Sequence, residues 1–293
     1  LFFAFKAKTR CVNIRNELGD MTDDGTGKSS DSRRDGTVSK RAIYRTALEL
    51  RRQGRLYDRR DPDMEDLFRG SIDRFCEIAC HLQHSHRVLD VGSGQGMLLS
   101  LLSELGHECH ALDLFDAPER YPRIYFDKGI RFQACNVEVD PLPFEDGFFD
   151  AVVCCQVLEH FTHSHLFLMR EIYRVLGPEG IVEVDVPNAV CFRNRSRMIR
   201  GKHITYDYEE HYLYSEPVLY NGRSFYPLRH NREFTCREVG ILLAASGFTD
   251  IRVSFLKSRR HREGLEKIRS LGSALRDLIP SLRKSIIAFA VKP

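Results

Sequence analysis

The sequence predicts an α/β fold built on a seven-stranded, mostly parallel sheet with helices on both faces. Three observations predict it. From Arg87 onward, short apolar runs alternate with stretches of helical periodicity. The first run ends in a glycine-rich turn that opens a helix. The next run ends in an acid roughly twenty residues later, where a doubly wound sheet binds a ribose.

Residues 19–40 are rich in Asp, Gly, Ser and Thr with few apolar residues, and residues 1–40 are expected to form a disordered N-terminal segment; residues 1–20 read as a fragment end or a translation artefact. An N-terminal helical extension is expected over 41–85. Its first helix carries Ile43, Ala47, Leu48 and Leu50. A second, Met64 to His84, carries Leu67, Ile72, Phe75, Ile78, Ala79 and Leu82 at helical spacing. Strands are expected at Arg87–Val91, Glu108–Leu114, Ile130–Cys135, Phe149–Cys155, Gly180–Val186, Ile251–Leu256 and Ser285–Val291. Helices are expected at Met97–Leu105, at Leu166–Val175 before Gly177-Pro178, and from a Thr235 cap to about Gly247. A basic helix or two is expected over His261–Ile279. Residues 188–234 show no regular period.

Composition sets limits. The chain has 293 residues, 42% hydrophobic and 29% charged, enough for a large buried core. A net charge of +3 does not call for a nucleic-acid or membrane partner. From Ile251 onward Lys and Arg exceed Asp and Glu by eight, which reads as a solvated helical face. No apolar run reaches the length of a membrane span. The nine cysteines are scattered and read as reduced thiols of a cytoplasmic protein. Cys76, Cys80, His81, His84 and His86 cluster in sequence but match no zinc spacing, so no metal is expected.

The glycine turn is Val88-Leu89-Asp90-Val91-Gly92-Ser93-Gly94-Gln95-Gly96. Its glycines allow a tight turn and close approach of a ligand, and the helix after it aims N–H groups at that ligand. The spacing G-x-G-x-G is not the G-x-G-x-x-G of a dinucleotide pyrophosphate. Asp90 before the first glycine suits an ammonium group better than a phosphate. Asp113 can accept both hydroxyls of a ribose; a bare strand–helix turn and a simple helix cap are the alternatives.

Further motifs carry a resemblance. Asn136 to Asp150 contains Leu142-Pro143-Phe144-Glu145-Asp146 and Phe149-Asp150. Val157-Leu158-Glu159-His160-Phe161 comes after the fourth strand, and Leu176-Gly177-Pro178-Glu179-Gly180 precedes the fifth. In this order and spacing they resemble class I methyltransferases that use S-adenosylmethionine (SAM), of the LPF/LEH type that acts on small molecules. The resemblance implies a Rossmann-like sheet with an antiparallel last strand. It implies that Asp90, Gly92, Ser93, Gly94 and Gly96 serve the methionine end of SAM, Asp113 and Leu114 the ribose, Asn136 and Val137 the adenine, and that Gln156 closes the pocket. Many relatives carry Asp where this chain has Asn136.

Methyl transfer from a sulfonium needs alignment first, and a base only where the acceptor arrives protonated. His160, beyond the fourth strand, is the candidate base; His163 and His165 are weaker ones, and local packing is the alternative for each. The stretch 188–234, with Arg193, Arg195, Arg197, Arg200, Tyr206, Tyr208, His211, Tyr212 and Tyr214, is expected to form an acceptor lid. Arg229-His230-Asn231-Arg232-Glu233-Phe234-Thr235 resembles a segment of methyltransferases of polysaccharide, lipid or natural-product pathways. His230, Arg232 and Tyr212 would then position a small-molecule, sugar or lipid-linked acceptor, or brace the lid. The alternatives are an RNA or other nucleic-acid acceptor, a nicotinamide-dependent oxidoreductase, and a SAM-binding protein without transferase activity. Oligomeric state is left open.

Overall fold

The computed structural model describes residues 37–57, 62–114, 123–205, 208–257 and 278–293. Residues 1–36, Tyr206 and most of the basic stretch expected to be helical after His261 lie outside these. The main sheet holds seven strands: β1 (Arg87–Val91), β2 (Glu108–Asp113), β3 (Arg131–Ala134), β4 (Phe149–Cys155), β5 (Leu176–Pro187), and two strands near the C-terminus, β8 (Thr249–Phe255) and β9 (Ser285–Val291). Their order is β3-β2-β1-β4-β5-β9-β8, and β9 runs antiparallel to both neighbours. Each predicted strand occupies a place in this sheet. The fifth begins earlier than expected, because Leu176 already pairs with Phe149 before a register shift.

Alternation along the strands builds two cores. On β1, Leu89 and Val91 face one layer and Val88 the other, as the period of two requires. The first layer contains α5 (His165–Val175) and α7 (Cys236–Ala245), which bury Leu168, Met169, Ile172, Val239 and Leu243. Ser164 caps α5, and Thr235 with Glu238 forms a reciprocal capping box on α7. The second layer holds α1 (Lys40–Arg52), α2 (Pro62–His81) and α3 (Met97–Glu104). The Ser39 hydroxyl accepts from the Ala42 N–H at 3.2 Å and starts α1. Ile43, Ala47 and Leu50 are buried, whereas Leu48 and Leu67 are exposed; Phe68 fills the place expected of Leu67. A short helix α4 (Arg123–Asp127) brings Tyr125 under the glycine turn.

The stretch after β5 contains more regular structure than its composition suggested: α6 (Phe192–Ile199), a single turn at Glu209–Leu213, and a hairpin of β6 (Val218–Tyr220) with β7 (Arg223–Phe225). The hairpin turns on Asn221-Gly222, both in the left-handed region (φ 49° and 74°). That dipeptide is the strongest short-range hairpin signal in a sequence. The stretch leaves and rejoins the fold at one neck. Asn188 bridges Phe234, Ala189 N–H donates to Phe234 O (2.8 Å), and Phe234 N–H donates to Pro187 O (3.0 Å).

Ile72, fully buried between the N-terminal helices and the sheet, tests whether these helices belong to the same cooperative unit. Ile72→Ala should lower the unfolding free energy by about 2–5 kcal/mol, seen as one shifted transition in a denaturant melt. A separate early transition would mean that the helices fold apart from the sheet.

Candidate active site

The carboxyl ends of β1, β2 and β4 converge on one cavity of about 490 Å³. Its floor is Gly92, Gly94, Asp113, Leu114, Asn136 and Val137, and Gln156 and His160 form its side. The roof runs from Arg223 to Leu228, the second hairpin strand and the three residues after it.

The floor is held from two directions. Asp113 accepts the Gly94 N–H on one oxygen and its neighbour Leu114 N–H on the other, both at 2.6 Å. One lone pair on each oxygen stays available to a ligand hydroxyl. From below, the Tyr125 hydroxyl donates to Gly94 O (2.7 Å) and meets the Ser93 hydroxyl at 2.7 Å. The structure therefore places Ser93 and Gly96 in support of the turn, outside the cavity lining. Gly92 and Gly94 differ in why no side chain fits. At Gly92 (φ 74°) a Cβ would stand 2.4 Å from Val157 Cγ2. At Gly94 (φ 52°) it would enter open space on the cavity floor. A ligand can lie directly against backbone there.

Two buried polar atoms are left over beside this floor. Asp90, 3% exposed, has an Oδ1 without a hydrogen-bond partner, and burial together with the charge of Asp113 pushes its pKa up to about 8. Asn136 spends its Oδ1 on the Glu138 N–H (3.2 Å), while its Nδ2 is buried and unpaired. A cation near the turn would satisfy the first, and a heterocycle ring nitrogen the second. Burial also raises the Asp113 pKa, against the pull of its two N–H donors.

Gln156 stands in the left-handed region (φ 55°) although it is not glycine. Its N–H donates to Asp185 O (2.8 Å) and its amide nitrogen to the Asp185 carboxylate. Asp185 is in turn paired with the buried Arg74 of α2 at 3.0 Å. The N-terminal helices thus brace a residue of the cavity wall.

His160 lies in a single turn, Leu158–His160, after β4. Its Nδ1 is 3.0 Å from Arg229 O; a neutral ring donates there and keeps a lone pair on Nε2. Burial lowers its pKa, and burial with neighbouring positive groups lowers that of His230 to about 4. His230 packs edge-on against His160, centroids 4.7 Å apart. The returning lid segment is clasped to this turn. Asn231 N–H (2.7 Å) and Arg232 N–H (3.2 Å) donate to Glu159 O, and Asn231 Nδ2 donates to His160 O (2.7 Å).

Arg232 and Tyr212 are not brought to the cavity. The Arg232 guanidinium pairs with Glu238 at the start of α7, and the Tyr212 hydroxyl donates to His230 O (2.5 Å) beneath Arg229. Both brace the lid. His163 does reach the cavity, with its Nδ1 2.8 Å from Glu138, while the His165 Nε2 faces Leu158 O at 2.9 Å. The roof residues Arg223 to Leu228 and the acid Glu138 escaped sequence reasoning. Asn221-Gly222 was the signal for the former; Glu138 had none.

Residues 89–184 match the family described as a methyltransferase domain. The unpaired Asp90 oxygen, the bare floor at Gly94 and the Asn136 amide fit a cationic nucleoside such as S-adenosylmethionine. A probable S-adenosylmethionine-dependent methyltransferase of Mycolicibacterium smegmatis is 34% identical over 36% of this chain and 39% of its own length. A ubiquinone/menaquinone biosynthesis C-methyltransferase of Paraburkholderia xenovorans is 29% identical over 40% of this chain and 51% of its own. The chain thus spans about half or less of the curated relatives it matches. A SAM-dependent methyltransferase from Archaeoglobus fulgidus has the same fold, with a TM-score of 0.52 and 18% identity over 78% of this chain and 98% of that one.

The cavity floor can be tested at two positions. Gly94→Ala should weaken SAM binding by more than the roughly 1–2 kcal/mol that its left-handed backbone costs in stability, read by calorimetry beside a thermal melt. Equal losses would place no ligand over Gly94. Asp90 holds a proton in the folded chain that the unfolded chain loses near pH 4, so apo stability should fall as pH rises from about 4 to 8. The sulfonium favours the ionised carboxylate, so SAM affinity should rise over pH 6–9, and Asp90→Asn should flatten that profile.

Proposed function

We propose that the protein transfers the methyl group of SAM to a small-molecule, sugar or lipid-linked acceptor held beneath the lid formed by residues 188–234. One observation carries this reading. A single cavity joins the donor floor at Gly92, Gly94 and Asp113 to His160 and the hairpin roof. Donor and acceptor then meet in one cleft, and alignment supplies much of the rate.

In this reading the Asp113 carboxylate takes the ribose hydroxyls, and Leu114, Asn136 and Val137 surround the adenine. Asp90 offsets the positive charge of the methionine end, and Gln156, held by Asp185, closes that end. His160 stands at the acceptor side, where a hydroxyl acceptor must lose a proton. His230 lies behind it, and Tyr212 and Arg232 keep the lid in place. The roof lines the cavity with Phe225 and Tyr226 beside Arg223 and Pro227, a lining suited to a small molecule rather than a polymer groove. The names of the curated relatives point to small molecules as well: the Paraburkholderia protein is a C-methyltransferase of quinone biosynthesis.

Incubation of the purified protein with methyl-labelled SAM and a metabolite extract, then mass analysis, identifies the acceptor. Labelling confined to RNA would overturn the small-molecule reading. Asp113→Ala should weaken SAM binding by about tenfold to a hundredfold, the worth of one or two charge-assisted hydrogen bonds. His160→Ala should slow turnover while SAM affinity holds, and undiminished turnover would remove His160 from the chemistry.

A further inference from the structure

Glu159 is fully buried, and neither of its carboxylate oxygens has a hydrogen-bond partner. A buried carboxylate left in this way is costly unless a cation meets it. The nearby Arg74 guanidinium is bonded to Asp185 instead. Beside Glu159 stand two imidazoles, His160 next in the chain and His230 from the returning lid. One carboxylate oxygen and one ring nitrogen of each histidine lie within 4.8 Å of one another. Among the described residues this is the grouping of His, Cys, Asp and Glu close enough to share an ion. The three are fixed by neighbours that are not themselves ligands. Asn231 and Arg232 N–H groups hold the Glu159 carbonyl, Arg229 O orients the His160 ring, and Tyr212 holds the His230 carbonyl. Such outer contacts orient metal ligands.

We propose that Glu159, His160 and His230 bind one divalent transition-metal ion on the acceptor side of the cavity. Two neutral imidazoles and one carboxylate suit zinc, manganese or iron(II), and three protein ligands leave positions open. Donors about 2.0–2.2 Å from one ion stand roughly 3–4 Å apart, so small side-chain rotations close the cluster. Because His160 lines the cavity, an open position faces the space assigned to the acceptor. The acceptor class that this site selects is a hydroxyl compound.

The catalytic use of the ion rests on the transferase reading above; its binding does not. An acceptor hydroxyl bound to the ion releases its proton to solvent more readily. The oxygen lone pair forms the new O–CH₃ bond, the C–S bond breaks with its electron pair going to sulfur, and S-adenosylhomocysteine leaves. His160 then serves as a ligand and the ion performs the activation. The sequence pointed to no metal, since the third ligand lies far beyond any short motif, in the lid.

The test uses the full chain, stripped with a chelator and titrated with Mn²⁺ and separately with Co²⁺ in the absence of SAM. Calorimetry should give one equivalent of tight binding, and Co²⁺ should develop the visible absorption of a nitrogen-ligated ion. Glu159→Gln and His230→Gln should each weaken binding about tenfold or more while SAM affinity is kept. Added Mn²⁺ should raise the melting temperature of the wild type and not of either variant. If Glu159→Gln does not fold, His230→Gln carries the same comparison. Binding that is equal in wild type and variants, or absent from the wild type at about a thousandfold excess of ion, overturns the proposal. Metal binding without methyl transfer to any acceptor would leave the site standing and remove the transferase reading.

Discussion

The clasp between Asp113 and the Gly94 N–H is the contact on which the site depends. Parallel strands end with their tips side by side, but nothing in a sheet ladder fixes the loops beyond them. Here the tip of β2 reaches across to the turn after β1 and holds it with a charge-assisted hydrogen bond. Tyr125 holds the same turn from below. The turn can therefore keep backbone in a conformation open only to glycine at little cost, with one lone pair per Asp113 oxygen still available. Asp113 holds the turn from the cavity side and Tyr125 from the buried side.

A second constraint is the density of buried acids. Asp90, Glu159, Glu183 and Asp185 are all buried near the strand ends. Burial raises the pKa of each, with the neighbouring acid adding to the effect at Asp90 and Glu183. Arg74 from the N-terminal helices meets part of this charge. The helices that precede the sheet are thus not only a cover for its apolar face. They supply the guanidinium that orders Asp185, which orders Gln156 in its left-handed conformation on the cavity wall. Polar groups placed with such economy mark a surface that awaits a ligand rather than one optimised for stability.

Much of this was legible in the sequence, because period and punctuation carry it. All seven sheet strands, α3, α5 and α7 can be read from apolar alternation and caps, and Gly92, Gly94, Asp113, Leu114, Asn136, Val137, Gln156 and His160 do line one cavity. Sequence reasoning lacked the third dimension. It assigned Ser93 and Gly96 to the methionine end of a ligand; in the structure both also face Tyr125, which stands on α4, a helix too short to show a period. It grouped His230, Arg232 and Tyr212 as one acceptor set; in the structure each has its own partner, and Tyr212 bonds the His230 carbonyl. His230 turns to His160, and Arg232 turns out to α7. The pairing of Glu159 with His230 had no local trace, since it exists only because the lid doubles back on the turn after β4. The hairpin roof did leave a trace, Asn221-Gly222, hidden within a stretch whose Arg and Tyr content suggested an irregular loop.

The neck at Asn188 and Phe234 has a broader consequence. The backbone between these residues leaves and rejoins the sheet at one place, and its other ties are to loops, Tyr220 to Asp140 and Asn231 and Arg232 to Glu159, so the parts outside those contacts can vary while β5 and α7 stay in register. The floor of the cavity and most of its roof are then written in separate parts of the chain. On the proposed reading, a lineage could exchange the outer part of the insertion and acquire a new substrate while the floor at Gly92, Gly94 and Asp113 is kept.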